Sequence, residues 1–228
     1  MPKPESPYRL YGRQVGHGGL RPAQQQRMER LLPKLELADQ GDTLDLTAVF
    51  GRACPVCLEI GFGAGEHLLW QAQQNPDVGF IGVEPFITGV SSCLYGVERD
   101  GIDNVRICMG DGRPLIDRLP DASIETVFIL HPDPWPKWRH AKRRLIQPAL
   151  LDALARIMPE GAQLRIGTDW ADYSCWALRH LLNHQAFAWQ ARSCRDWQER
   201  PADWPVTRYA VKAEKEGRCD VHLTFLRV

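Results

Sequence analysis

The chain has 228 residues, 44% hydrophobic and 25% charged, enough to bury a substantial core without disulfide or metal staples. Its 28 basic and 28 acidic residues leave a net charge of zero, which excludes a uniformly basic binder but not a local basic patch. No apolar run reaches the roughly 18 residues of a membrane span. The start, MPKPESPYRL, lacks the apolar stretch of a signal peptide. A soluble, cytoplasmic protein with no membrane partner is expected.

Residues 1–22 carry prolines and glycines with few large apolar residues, and are expected to form a flexible arm ahead of a single domain over 23–228. Residues 23–37 have a short helical pattern through Met28, Leu31 and Leu32 that should stop near Pro33. From Cys54 onward, short apolar runs alternate with amphipathic stretches. Strands are expected at 56–60, 79–83, 105–109, 124–130 and 163–167, with helices at 66–74 and 86–99. The run at 124–130 is nearly continuous in apolar residues, which suits a central strand buried on both faces. Leu145 to Ile157 has helical spacing, with Pro148 in the first turn. Tyr173, Trp176, Ala177, His180 and Leu181 line one face of a further helix, and strands near 188–193 and 221–226 close the chain. This alternation predicts a Rossmann-like, doubly wound, mostly parallel α/β sheet, with ligands at the carboxyl ends of the strands.

The seven cysteines are odd in number and scattered, which argues against a secreted disulfide framework. Cys54 and Cys57 form a single CPVC, read as small residues entering a buried strand, since a structural zinc site needs about four ligands. The histidines form no ligand cluster, and no metal is expected.

The first strand runs into Glu59-Ile60-Gly61-Phe62-Gly63-Ala64-Gly65-Glu66. Gly61, Gly63 and Gly65 allow a tight turn and close approach of a nucleotide-like ligand. A dinucleotide site wants glycine or alanine where this chain has Glu66, whose charge would repel a pyrophosphate. Three acids stand at neighbouring strand ends: Glu59, Glu84 and Asp111. Glu84, 19 residues after Gly65, can accept from ribose hydroxyls, and Asp111 from an adenine amino group. The set suits an adenosine ligand with a cationic centre and no phosphates, as in S-adenosylmethionine.

After the fourth strand comes His131-Pro132-Asp133-Pro134-Trp135-Pro136-Lys137-Trp138-Arg139-His140. The prolines rigidify this loop and should hold Asp133 toward the ligand. Between 131 and 147, five basic residues face one acid. Interleaved with tryptophans, they read as a surface that tracks nucleic-acid phosphates beyond the cofactor pocket.

At these residues the sequence resembles the bacterial tRNA (guanine-N7)-methyltransferases, within the class I S-adenosylmethionine-dependent methyltransferases. The resemblance runs from about Tyr8 to the C-terminus. It is carried by PDPWPK at 132–137 and HAKRRL at 140–145, with support from EIGFGAG at 59–65, GTDW at 167–170 and TRY at 207–209. It implies a seven-stranded sheet whose last strand is antiparallel, and methylation of a guanosine in the tRNA variable loop. It places Glu59, Glu84, Asp111 and Asp133 in the cofactor pocket, with Asp133 also the catalytic residue. It places Lys137, Asp169, Thr207, Arg208, Tyr209 and Ala210 against the substrate. Asp169 could instead cap the following helix. One departure stands out: the family usually has a glutamate where this chain has Ala210, and Glu214 or Glu216 would have to compensate. Two other readings remain open at this point: a methyltransferase acting on exocyclic base amines, and an NAD-dependent oxidoreductase.

Overall fold

The structure, a computed structural model, describes residues 19–228. The expected arm at 1–22 lies outside the described residues up to 18, and its Pro22 already belongs to the first helix.

In chain order the helices are α1 (Pro22–Leu35), α2 (Leu46–Phe50), α3 (Glu66–Gln74), α4 (Ile87–Asp100), α5 (Gly112–Arg118), α6 (Pro148–Ile157), α7 (Ala171–Leu182), α8 (Arg195–Gln198) and α9 (Arg208–Lys215). A 3₁₀ helix spans Trp138–Arg143. The strands are β1 (Val56–Ile60), β2 (Gly79–Val83), β3 (Val105–Cys108), β4 (Thr126–Leu130), β5 (Gln163–Thr168), β6 (Phe187–Trp189) and β7 (Val221–Arg227). They form one seven-stranded sheet in the order β3-β2-β1-β4-β5-β7-β6. Only β7 runs against its neighbours, pairing antiparallel with both β5 and β6. The order reverses between β1 and β4, and this switch point is where an open α/β sheet leaves room for a ligand.

Alternation along the strands builds two cores. Val56, Leu58 and Ile60 of β1 share one face with Leu150 and Leu154 of α6. Phe80, Val105 and Ile107 share the other with Leu68 of α3 and Leu94 of α4. In β4, Val127, Phe128 and Ile129 are all buried, as its apolar run predicts. No described helix is long and apolar enough to cross a membrane.

Helix α1 ends at Leu35, two residues past Pro33 and close to the expected stop. Placed in the last turn, the proline forfeits its own N–H bond to the carbonyl four residues back, and the helix ends two residues later. Several expectations need correction. Helix α5 escapes the sequence pattern because Gly112 and Pro114 mask it; Pro114 sits in the first turn, where a missing N–H is tolerated. Strand β6 ends at Trp189 rather than extending to residue 193. There the Asp196 carboxylate accepts from the N–H groups of Arg192 (2.8 Å) and Ser193 (2.7 Å), turning the chain into α8. The Cys54–Cys57 pair behaves as the plain reading expects. Cys57 lies in β1, and burial pushes its thiol up to about 12, far from a redox-active thiolate.

Candidate active site

Residues 61–65 leave β1 and turn over the sheet edge into α3. Gly61 and Gly63 have φ of 83° and 58°, a region that disfavours side chains. Glu84, at the end of β2, holds this loop in place. One carboxylate oxygen accepts from the Gly63 N–H at 2.7 Å, the other from the Phe86 N–H at 2.9 Å. Burial pushes the Glu84 pKa above its ordinary value, with like charges on Asp133 and Glu59 adding to it. The Gly63 donor is thus spent on a carboxylate, where a pyrophosphate would need it. Helix α4 closes against the same loop: a Cβ on Gly89 would stand 2.2 Å from the Gly63 carbonyl oxygen. Gly89→Ala is therefore expected to displace the loop and to lower stability by about 1–3 kcal/mol, read as a shift in the chemical-denaturation midpoint.

The loop, the ends of β2 and β4, and the segment after β3 enclose a cavity of about 560 Å³. Gly61, Gly63, Glu84, Asp111 and Asp133 all line it, as do Trp135, Arg208 and Tyr209. The expected acids thus meet, with one difference. Glu59 is buried in the sheet and borders a small adjoining recess of about 20 Å³, where it receives a 2.7 Å contact from His67. Asp111 is also engaged: it caps α5 through the Arg113 N–H at 3.0 Å and pairs with the Arg113 guanidinium. Arg113 itself reaches the cavity. No proline or glycine pattern points to it.

Asp133 stands on the strained loop after β4. His131 and Trp135, on either side of it, adopt φ of 47° and 42°. Non-glycine residues rarely occupy this region unless their surroundings impose it. Arg144 braces the loop on the Trp135 side. Three prolines in the loop can donate nothing, so its carbonyls need outside donors. Arg144, 7% exposed, donates Nε to the Pro134 carbonyl at 2.9 Å, and its guanidinium lies over the Tyr173 and Trp176 rings. Asp133 is itself exposed to the cavity, and the protein walls around its carboxyl push its pKa above the ordinary value.

The basic run therefore divides. Lys137 and Arg139 are exposed. Lys142, Arg143 and Arg144 line the cavity, so the expectation that the whole run lies beyond the pocket does not hold. Lys142 stays exposed at the rim, Arg144 is buried just past the 3₁₀ helix, and Arg143 packs over the Trp135 ring at 4.9 Å.

Asp169 does not cap α7, whose N-cap is Trp170. Its Oδ2 instead accepts from Arg218 Nε at 2.7 Å, and its Oδ1 is 3.7 Å from His131 Nδ1. Asp220 adds a second carboxylate 3.9 Å from the same nitrogen, its pKa raised by burial. His131 in turn stacks on Tyr209, ring centroids 5.7 Å apart. Thr207 caps α9 by accepting from the Ala210 N–H at 3.3 Å. The Arg208 N–H donates to Glu66 at 2.8 Å, which ties α9 to the start of α3. Ala210 is half-buried. Glu214 does follow on α9 and Glu216 is its C-cap, but neither lines the cavity, and Glu216 pairs with Arg218 and Lys212. Nothing on α9 thus replaces a carboxylate at 210.

Among the described residues no group of three or more potential metal ligands comes together.

A family model described as "Putative methyltransferase" matches residues 53–223. The tRNA (guanine-N(7)-)-methyltransferase of Rhodospirillum rubrum is 44% identical over 99% of this chain and 90% of its own. That of Roseobacter denitrificans is 43% identical over all of both chains. Among solved structures, the 16S rRNA methyltransferase KamB superposes with a TM-score of 0.56 at 16% identity, covering 82% of this chain and 96% of that one. An antibiotic-related methyltransferase reaches 0.55 at 15% identity, covering 83% and 98%. These structures share the fold.

Proposed function

Because the chain belongs to the family of the tRNA (guanine-N(7)-)-methyltransferases, we propose that it transfers a methyl group from S-adenosylmethionine to N7 of a guanosine in the tRNA variable loop. The observation that carries this reading is the convergence of Glu84, Asp111 and Asp133 on one cavity beside a glycine loop whose Gly63 N–H is already taken. Such a site suits an adenosine with a cationic centre and disfavours a dinucleotide. The cofactor supplies an electrophilic methyl on a sulfonium.

The rest is positioning by the protein. Guanine N7 carries an in-plane lone pair and no proton at neutral pH, so no base is needed to create the nucleophile. Catalysis then consists of holding N7 in line with the methyl group. The ring becomes cationic as the methyl arrives, and a carboxylate in a partly dry site stabilises that charge. Asp133 has the position for this, on a loop that Arg144 braces. Tyr209, backed by His131, offers a face beside the cavity for the base. Asp169 does not line the cavity and gives Oδ2 to Arg218; Oδ1, beside His131, is the acceptor that it would offer to the guanine N1 and N2 edge.

Lys137 and Arg139 would hold RNA phosphates. Replacing both with alanine should weaken tRNA binding, and each phosphate left without its cation should reduce the log–log salt slope by about 0.7–0.9. Cofactor affinity should not change. Titrations with tRNA at several salt concentrations check this.

The reading is tested by labelled methyl transfer to tRNA lacking the modification, followed by nuclease digestion and mass spectrometry. The label is expected on guanine N7. Label on guanine N2 or adenine N6 would replace this reading with exocyclic-amine chemistry, and tighter stabilisation by NAD than by S-adenosylhomocysteine would replace it with an oxidoreductase.

A further inference from the structure

We propose that His67 is a positioning residue: through Nδ1 it orients the Glu59 carboxylate to receive the cationic amino-acid end of the cofactor. The proposal rests on the reading of the cavity as a site for S-adenosylmethionine. Glu59 and His67 are each 3% exposed, and Nδ1 lies 2.7 Å from Oε2. At the other edge of the ring, Nε2 lies 3.2 Å from Nε2 of Gln71. The same Gln71 atom is 2.7 Å from the Asp203 carbonyl oxygen. A carbonyl oxygen only accepts, so this Gln71 atom is the amide nitrogen and not its oxygen. An amide nitrogen only donates, so His67 Nε2 must accept. The ring is therefore the neutral tautomer with its proton on Nδ1, and Glu59 accepts the resulting bond. Edge contacts with Phe128 and Trp204, at centroid distances of 4.6 Å and 5.7 Å, fix the plane of the ring.

The choice of histidine has a physical reason. A lysine or arginine beside Glu59 would also orient it, but would cancel its charge. A neutral donor fixes the carboxylate and leaves the charge for a ligand. Glu59 and His67 border the recess beside the main cavity, together with Gly61, His131 and Tyr209. The charge thus borders the recess beside the cavity, where an ammonium group would lie. The chain of bonds continues through Gln71 to Asp203, on the segment leading into α9, so the orientation of Glu59 depends on that segment being seated.

Calorimetry with two ligands tests the proposal: S-adenosylhomocysteine, which carries the amino-acid end, and 5′-methylthioadenosine, which lacks it. In His67→Phe, affinity for the first should fall about tenfold or more, the scale of a hydrogen bond to a charged group. Affinity for the second should stay unchanged. His67→Asn, whose amide N–H can stand near Nδ1, should recover most of the loss. Unchanged binding of S-adenosylhomocysteine, or equal losses for both ligands, overturns the proposal, the latter marking a purely structural role. Nitrogen-15 shifts of the wild-type imidazole read the tautomer without any variant, and a proton on Nε2 would also overturn it. A wild-type protein that binds neither ligand would refute the cofactor reading itself.

Discussion

Asp133→Ala is expected to lower the methyl-transfer rate by about two to three orders of magnitude, the scale of removing one electrostatic stabiliser of a transition state. The loss should fall on kcat rather than on tRNA affinity, because the charge that Asp133 opposes exists only as the methyl transfers. The fold should survive, since the loop's carbonyls are held by Arg144 and not by Asp133. Asp133→Asn separates charge from shape: it keeps the size and acceptor of the side chain, and should lose nearly as much rate. A pH profile adds a second readout. The ionised carboxylate is the active form, and the protein walls around it raise its pKa. Rate should therefore be lost, as pH falls, at a higher pH than an ordinary carboxylate would give, and Asp133→Asn should lack that limb. Single-turnover kinetics on purified tRNA measures all three. A variant at near wild-type rate removes Asp133 from the mechanism.

Glu84→Ala should weaken S-adenosylhomocysteine binding by about ten- to a hundredfold, the worth of a charge-assisted hydrogen bond. It should also lower the unfolding midpoint. Glu84 accepts from two backbone N–H groups, those of Gly63 and Phe86, and both lose their partner in the variant. An orphaned buried donor costs about 1–3 kcal/mol. The site and the glycine loop thus depend on the same carboxylate. Glu84→Gln keeps one acceptor and should retain more stability than affinity. Calorimetry and thermal denaturation together test this, and unchanged affinity in both variants would move the cofactor site elsewhere.

The glycine loop and the acids at the strand ends were legible because each depends on local geometry. A glycine trio directly after a strand specifies a turn, and an acid at a strand end specifies a place on the sheet. The partners of those acids were not legible. His67 follows Glu59 by eight residues, but Arg218 reaches Asp169 across 49 residues, and no spacing rule connects them. Arg144 shows the opposite error. Within a run of basic residues it reads as a phosphate ligand, yet it is buried against aromatic rings, because a proline-rich loop needs donors that it cannot supply itself.

By itself the sequence determined the order of the strands and of most of the helices between them, the expectation of a site at the carboxyl ends of the strands, and the set of acids beside a glycine loop. These follow from patterns of hydrophobicity and backbone freedom that act over a few residues. The tertiary structure decided which partner each polar group already has. Glu84 gives both of its oxygens to the backbone, Asp111 pairs with Arg113, and Glu59 turns to His67. A buried polar group must find its partner wherever packing places one. Which residue that is depends on how α3, α9 and the loop after β4 close on the sheet, and this is fixed only when the cores on its two faces have formed.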